Sequence, residues 1–151
     1  MIDIIAHTME YSGGLVKSLD VLENYSEKHF EEYKKNYETC FHEMRKALGL
    51  NPYDDCDSNE ELMKKSSDIF LYKEKGILIG SVAIYGNEID DLIVAEGYQH
   101  KRYGQRLLRF AISRMQKAHV FPILLHVADW NKRAIDLYVK NGFVITKTET
   151  V

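Results

Sequence analysis

The sequence predicts a mixed α/β fold, and three observations carry that reading. Segments of helical apolar period alternate with strand-like runs, in the order strand, long helical segment, three strands, helix, strand, helix, strand. The run at 88–94 passes through a glycine-bearing loop directly into an amphipathic helix and then a further strand, and such a crossover makes a parallel pair. The strands before it are joined by the tight turns Glu74-Lys75-Gly76 and Gly86-Asn87, which make them antiparallel.

Each element follows from its residues. Ile2, Ile4 and Ile5 mark a first strand within residues 1–10, which Ser12-Gly13-Gly14 ends. From about Leu19 to Leu48 a helical pattern runs through Leu22, Tyr25, His29, Phe30, Tyr33, Tyr37, Phe41, Met44 and Leu48, mostly in steps of three and four, which marks one long helix or two kinked ones. Gly49 and Pro52 close it, and an acidic loop runs from Asn51 to Asn59. Ser58 caps a short helix over Glu60–Lys65, with Glu61 as its capping-box partner. Strands follow at Ile69–Lys73, Ile77–Tyr85 and Glu88–Val94. From Gly104 to about His119, Leu107, Leu108, Ala111, Ile112 and Met115 share one helix face. Pro122 precedes a strand at Ile123–Val127. A helix over Asn131–Lys140 stops at Asn141-Gly142, a left-handed cap, before a last strand at Phe143–Thr148.

Composition bounds the function. The chain has 151 residues, 45% of them hydrophobic, enough for one domain with its own core. A net charge of −3 gives no footprint for nucleic acid, although Lys101, Arg102, Arg106 and Arg109 form a local basic patch. Cys40 and Cys56 have neither metal-ligand spacing nor a CxxC pairing, and no cluster suggests a metal. No apolar run reaches the ~18 residues of a membrane span, and the start of the sequence lacks signal-peptide features. The expectation is a cytoplasmic protein that binds neither membrane nor nucleic acid.

The chemistry concentrates in residues 88–109. A short apolar run, Leu92-Ile93-Val94, ends in the polar, basic loop Gln99-His100-Lys101-Arg102-Tyr103-Gly104, and a helix begins at once. Strand, tight loop and helix N-terminus together present backbone N–H groups and a positive dipole end to a phosphate. The loop resembles the acyl-CoA pyrophosphate loop, Gln/Arg-x-x-Gly-x-Gly/Ala, of the GCN5-related N-acetyltransferases (GNAT). Arg102 departs from that pattern at the first loop glycine; its side chain either meets a CoA phosphate or faces water. Glu88-Ile-Asp-Asp-Leu-Ile-Val94 is similar to the family's fourth strand. Asn131-x-x-Ala134-x-x-x-Tyr138-x-x-x-Gly142-Phe143 closely resembles its C-terminal motif. The match covers roughly residues 77–148.

The resemblance implies a GNAT-like acyl-CoA N-acyltransferase fold, with antiparallel N-terminal strands and a parallel pair around the acyl-CoA loop. It implies one domain over 1–151: 1–68 a mainly helical acceptor-side segment, 69–148 the acyl-CoA core. It further implies acetyl-CoA as acyl donor without a metal, a primary amine as acceptor, and room for a homodimer. The backbone of Leu92, Ile93 and Val94 would pair with pantetheine. Gln99, His100, Lys101, Arg102, Tyr103, Gly104 and Gln105 would hold pyrophosphate, and Asn131 would reach the pantetheine arm while capping its helix. Glu88 would take the amine's proton, directly or through water, and Tyr138 would protonate the departing thiolate.

Several readings stay open on the sequence alone. Strict alternation puts Glu88, Asp90 and Leu92 on one face of the strand and Ile89, Asp91 and Ile93 on the other. Acids on both faces require a polar opening for at least one of them. His126 is a base, a substrate contact or a structural histidine; Trp130 closes the cleft or packs beside it. Tyr25, Phe30, Tyr33, Tyr37 and Phe41, with Asp54, Asp55 and Asp57, either line an acceptor pocket for a cationic amine or form a buried helix face and a solvated loop. The rival functions are a protein or peptide acetyltransferase and a non-catalytic acyl-CoA-binding module. The Asn131–Phe143 motif argues against a third, a nucleotide-binding domain.

Overall fold

The structure, a computed structural model, describes residues 4–49 and 56–151. Its strands are β1 (Ile5–Tyr11), β2 (Glu23–Asn24), β3 (Ile69–Glu74), β4 (Ile77–Tyr85), β5 (Glu88–Val94), β6 (Leu124–Ala128) and β7 (Phe143–Thr150). Its helices are α1 (Phe30–Ala47), α2 (Asn59–Lys64), α3 (Tyr103–Lys117) and α4 (Lys132–Lys140). The strands form one mixed sheet in the order β2-β3-β4-β5-β6-β1-β7. β5 and β6 run parallel, and the other pairings are antiparallel.

The two faces of the sheet carry separate cores. Leu107, Leu108, Ala111, Ile112 and Met115 of α3 bury against Val82, Ile89, Leu125 and Met9. On the opposite face, Tyr33 of α1 and Leu62 of α2 pack over Ile69, Leu71 and Ile93. Gly80 sets how closely α3 approaches. A Cβ there would stand 2.8 Å from both Leu107 Cδ1 and the Ile93 carbonyl oxygen, so any side chain would push the helix off β4.

The N-terminal third departs from expectation. β1 belongs to the far half of the sheet, wedged between β6 and β7 with Thr8 opposite both His126 and Lys147. The expected first strand thus forms, and it lies in the half of the sheet that holds β6 and β7. The chain then returns across α3 as an irregular strap. Val16 N–H donates to Gln116 Oε1 (2.9 Å), Gln116 Nε2 donates to the Gly14 carbonyl (3.1 Å), and Arg106 Nη2 meets Asp20 Oδ1 at 2.7 Å. Because these residues bond to α3, and β2 bonds to β3, the expected helix from Leu19 does not form. Leu19 is 98% exposed. Helical structure starts after Ser26, whose N–H donates to His29 Nδ1 (3.2 Å), and runs as a 3-10 turn into α1. The Ser58–Glu61 capping box forms as the sequence suggests, one residue ahead of its expected helix start.

No helix among the described residues is long and apolar enough to cross a membrane.

Candidate active site

β5 and β6 pair only at Glu88 with Leu124 and Ile89 with Leu125; beyond these positions the two strands part. The edge of Asp90–Val94 that faces β6 therefore has no strand partner among the described residues. At the same place β5 bulges. Ser81 pairs with Ile93 and Ala83 with Asp90, so two steps along β4 span three along β5. Asp91 absorbs the extra residue with φ +46°. The bulge overturns the strict alternation expected here: Ile89 and Leu92 both pack on the α3 side, while Ile93 packs on the α1 side.

The loop after β5 arrives at α3 through residues in left-handed conformation: Gly97 (φ 90°), His100 (φ 64°) and Arg102 (φ 68°). Arg102 is the residue immediately before α3. It adopts the conformation a glycine would take, so the loop keeps a glycine-like backbone at a cost of about 1 kcal/mol. The first N–H groups of α3, from Tyr103, Gly104 and Gln105, have no intrahelical acceptor and point out of the helix start. His100, Lys101, Arg102 and Gln105 are exposed around them.

Other loop side chains are already engaged. Gln99 Nε2 donates to the Val94 carbonyl at 3.4 Å. The Tyr103 hydroxyl donates to Glu74 Oε2 (3.2 Å), which leaves only its backbone facing the loop. Arg106 drops out of the expected basic patch: it is paired with Asp20 and lies over the rings of Tyr72 and Tyr103.

α4 closes the other side. Asn131 caps it, its Oδ1 accepting from Ala134 N–H at 3.2 Å. Gly104 of α3 faces α4: a Cβ on it would lie in ordinary contact, 3.5 Å from Leu137 Cδ2 and 3.9 Å from Val94 Cγ2. Tyr138 packs edge-on to Phe143. Burial pushes its phenol pKa up, reinforced by Asp90 and by Cys40 of α1. Tyr138 of α4 thus feels charges from both β5 and α1. The Cys40 thiol, also raised mainly by burial, faces the Val94 backbone. Nothing in the sequence pattern singles out Cys40.

The acids divide. Glu88 turns to His126, whose Nε2 lies 3.1 Å from Glu88 Oε1, while Thr8 Oγ1 lies 3.1 Å from His126 Nδ1. Asp90 is exposed. Asp91 has its pKa pushed up to about 7, by burial first and by Asp90 second, with Lys65 and Arg45 opposing. It is felt in turn by the phenols of Tyr33, Tyr37 and Tyr85. Of the aromatic residues in the N-terminal segment, Tyr25 and Tyr33 are buried, and Tyr37 stacks between Tyr33 and Phe41. Asp57 is taken by Lys65 at 2.7 Å; Asp54 and Asp55 lie outside the described residues. Trp130 is 47% exposed beside Asn131.

Two hollows, of about 450 and 310 Å³, sit around the C-terminal half of α3, and neither touches the β5–β6 opening. No group of His, Cys, Asp and Glu among the described residues is placed to hold a metal ion.

The profile of the acetyltransferase (GNAT) family matches residues 22–143, most of the chain. The chain belongs to this family. Solved structures share the GNAT fold at low identity. A GNAT-family protein of Novosphingobium aromaticivorans aligns over 99% of this chain and 63% of its own, at 20% identity and TM-score 0.69. A Bacillus halodurans protein aligns over 85% of this chain and 95% of its own, at 17% identity and TM-score 0.72. The PaiA N-acetyltransferase of Thermoplasma acidophilum, solved with coenzyme A, aligns over 87% and 98%, at 20% identity and TM-score 0.64. The chain thus spans under two-thirds of the Novosphingobium GNAT protein and nearly all of the other two. No curated protein gives a match.

Proposed function

We propose that residues 1–151 act as one acyltransferase domain that moves an acetyl group from acetyl-CoA to a primary amine of a small molecule in a ternary complex. One observation carries this most: the β5–β6 opening leads directly into a loop whose left-handed His100 and Arg102 aim free N–H groups outward at the start of α3. That arrangement offers a strand edge to an amide-bearing arm and a helix N-terminus to a pyrophosphate. The coenzyme A bound to the Thermoplasma PaiA structure supports the same donor class.

Acetyl-CoA supplies the acyl group already activated as a thioester. In this reading Leu92, Ile93 and Val94 pair their backbone with the pantetheine arm, and Asn131 reaches it from the α4 start. Gln99, His100, Lys101, Arg102 and Gln105, with the N–H groups of Tyr103 and Gly104, hold the pyrophosphate. Glu88 accepts the amine's proton, directly or through water. Tyr138 gives its phenolic proton to the leaving sulfur. Burial raises the phenol, and the same burial raises the proton affinity of a thiolate beside it, so donor and acceptor stay matched. Positioning supplies much of the acceleration, because a neutral amine is already a good nucleophile.

Two features favour a small cationic acceptor. Asp90 and Asp91 lie at the opening, and the Tyr37 and Tyr85 phenols sense Asp91 on the α1 side. Acid and aromatic groups together attract an ammonium ion. The test is thiol release from acetyl-CoA with a panel of primary amines: a diamine, an arylalkylamine, an amino sugar and a lysine-containing peptide. Turnover with a small amine and none with the peptide is the expected result. Turnover confined to the peptide would replace the small-molecule reading with protein acetylation, and none at all would favour a non-catalytic acyl-CoA-binding module.

A further inference from the structure

Three adjacent strands present a continuous polar chain on the α1 side of the sheet: Thr8 from β1, His126 from β6 and Glu88 from β5. Thr8 stands directly opposite His126 in the antiparallel register, and Glu88 sits diagonally across the parallel pair, opposite Leu124. Both links are 3.1 Å.

Hydrogen-bond chemistry fixes the direction of this chain. An ionised Glu88 can only accept, so His126 Nε2 must carry the hydrogen it shares with Oε1. In the neutral ring Nδ1 is then a lone pair, and the Thr8 hydroxyl donates to it. Which imidazole nitrogen is protonated is set by the partner of the other; Glu88, which only accepts, selects Nε2–H, and the Thr8 hydroxyl satisfies the Nδ1 that remains and holds the ring.

We infer that His126, held by Thr8, is the positioning residue for Glu88: it occupies Oε1 and leaves Oε2 as the oxygen that meets the acceptor's proton or its bridging water. This rests on the proposed role of Glu88. It also gives the placement of β1 a consequence for function. The first strand of the chain, wedged between β6 and β7, brings the hydroxyl that completes the arrangement.

Two measurements test it. The first needs no acceptor: ¹⁵N NMR of the His126 ring in the free protein. The expected signature is the Nε2–H tautomer, with Glu88→Leu giving a mixture. An Nδ1–H tautomer in the wild type would overturn the inference. The second is a double-mutant cycle with the fastest amine of the panel above. His126→Leu should lower kcat about tenfold with KM for acetyl-CoA unchanged. His126→Gln, which keeps an N–H toward Glu88, should recover most of that loss. In the Glu88→Gln background His126→Leu should cost nothing further. A full additional loss there, with Glu88→Gln itself impaired, would overturn the positioning role while leaving the base reading intact. Wild-type turnover in Glu88→Gln would overturn both.

Discussion

Gly104 of α3 lies against Leu137 of α4, so close that a single added methyl group would touch the Leu137 side chain at 3.5 Å. That distance is ordinary contact. Gly104→Ala should therefore fold with a Tm equal to or slightly above wild type, helped by the ~1 kcal/mol helix advantage of alanine over glycine. Alanine also stands at this position in the loop pattern that the sequence resembles, so calorimetric titration should show acetyl-CoA affinity within about threefold of wild type in Gly104→Ala. The bulkier, branched side chain of Gly104→Val should abolish binding by blocking backbone approach to the pyrophosphate. Unchanged affinity in Gly104→Val would mean that the loop is not the donor site.

Arg102 holds a left-handed backbone without being glycine. If its N–H neighbours rather than its guanidinium hold the donor, Arg102→Gly should relieve about 1 kcal/mol of strain. It should then change acetyl-CoA affinity less than threefold. A tenfold loss in the same titration would assign the contact to the side chain.

Asp91 should make stability depend on pH. Its folded-state pKa stands near 7, above the ordinary 3.8, so the folded protein binds this proton more tightly than the unfolded chain. The resulting stabilisation is complete below pH 3.8 and disappears as pH rises through 7. Asp91→Asn removes the ionisation. Denaturant unfolding should show the variant matching wild type near pH 4 and exceeding it above pH 8. The linkage from that shift amounts to roughly 4 kcal/mol at most. A gain independent of pH would place the effect in packing instead.

Tyr138→Phe keeps the ring against Phe143 and removes the proton. Turnover should fall by roughly 10²-fold, within the usual range for a general acid, while acetyl-CoA affinity stays within about twofold. Steady-state kinetics with undiminished kcat would remove Tyr138 from the chemistry.

Much of the fold was legible because local signals agreed with tertiary contacts. β4 and β5 begin and end where turn residues and apolar runs place them. The crossover through α3 made the parallel pair. Elsewhere long-range bonding overrode local pattern. Leu19, Leu22 and Tyr25 fit a helical period, yet Asp20 is held by Arg106 and β2 by β3, so the strap stays extended. The wedge of β1 between β6 and β7 has no local signature at all. At the site, Glu88, Tyr138 and Asn131 stood out by motif. The bulge at Asp91, which arises from a register shift against β4, is a property of two strands and cannot be read from one. Cys40 reaches the opening only because α1 packs over β5.

The most direct test of the central claim is thermal unfolding with acetyl-CoA, against NADH and ATP as controls. The account predicts a Tm that rises with acetyl-CoA concentration, as mass action requires of a ligand bound only by the folded state, with little response to either control. An unchanged Tm at millimolar acetyl-CoA would contradict it, and so would equal shifts with all three ligands.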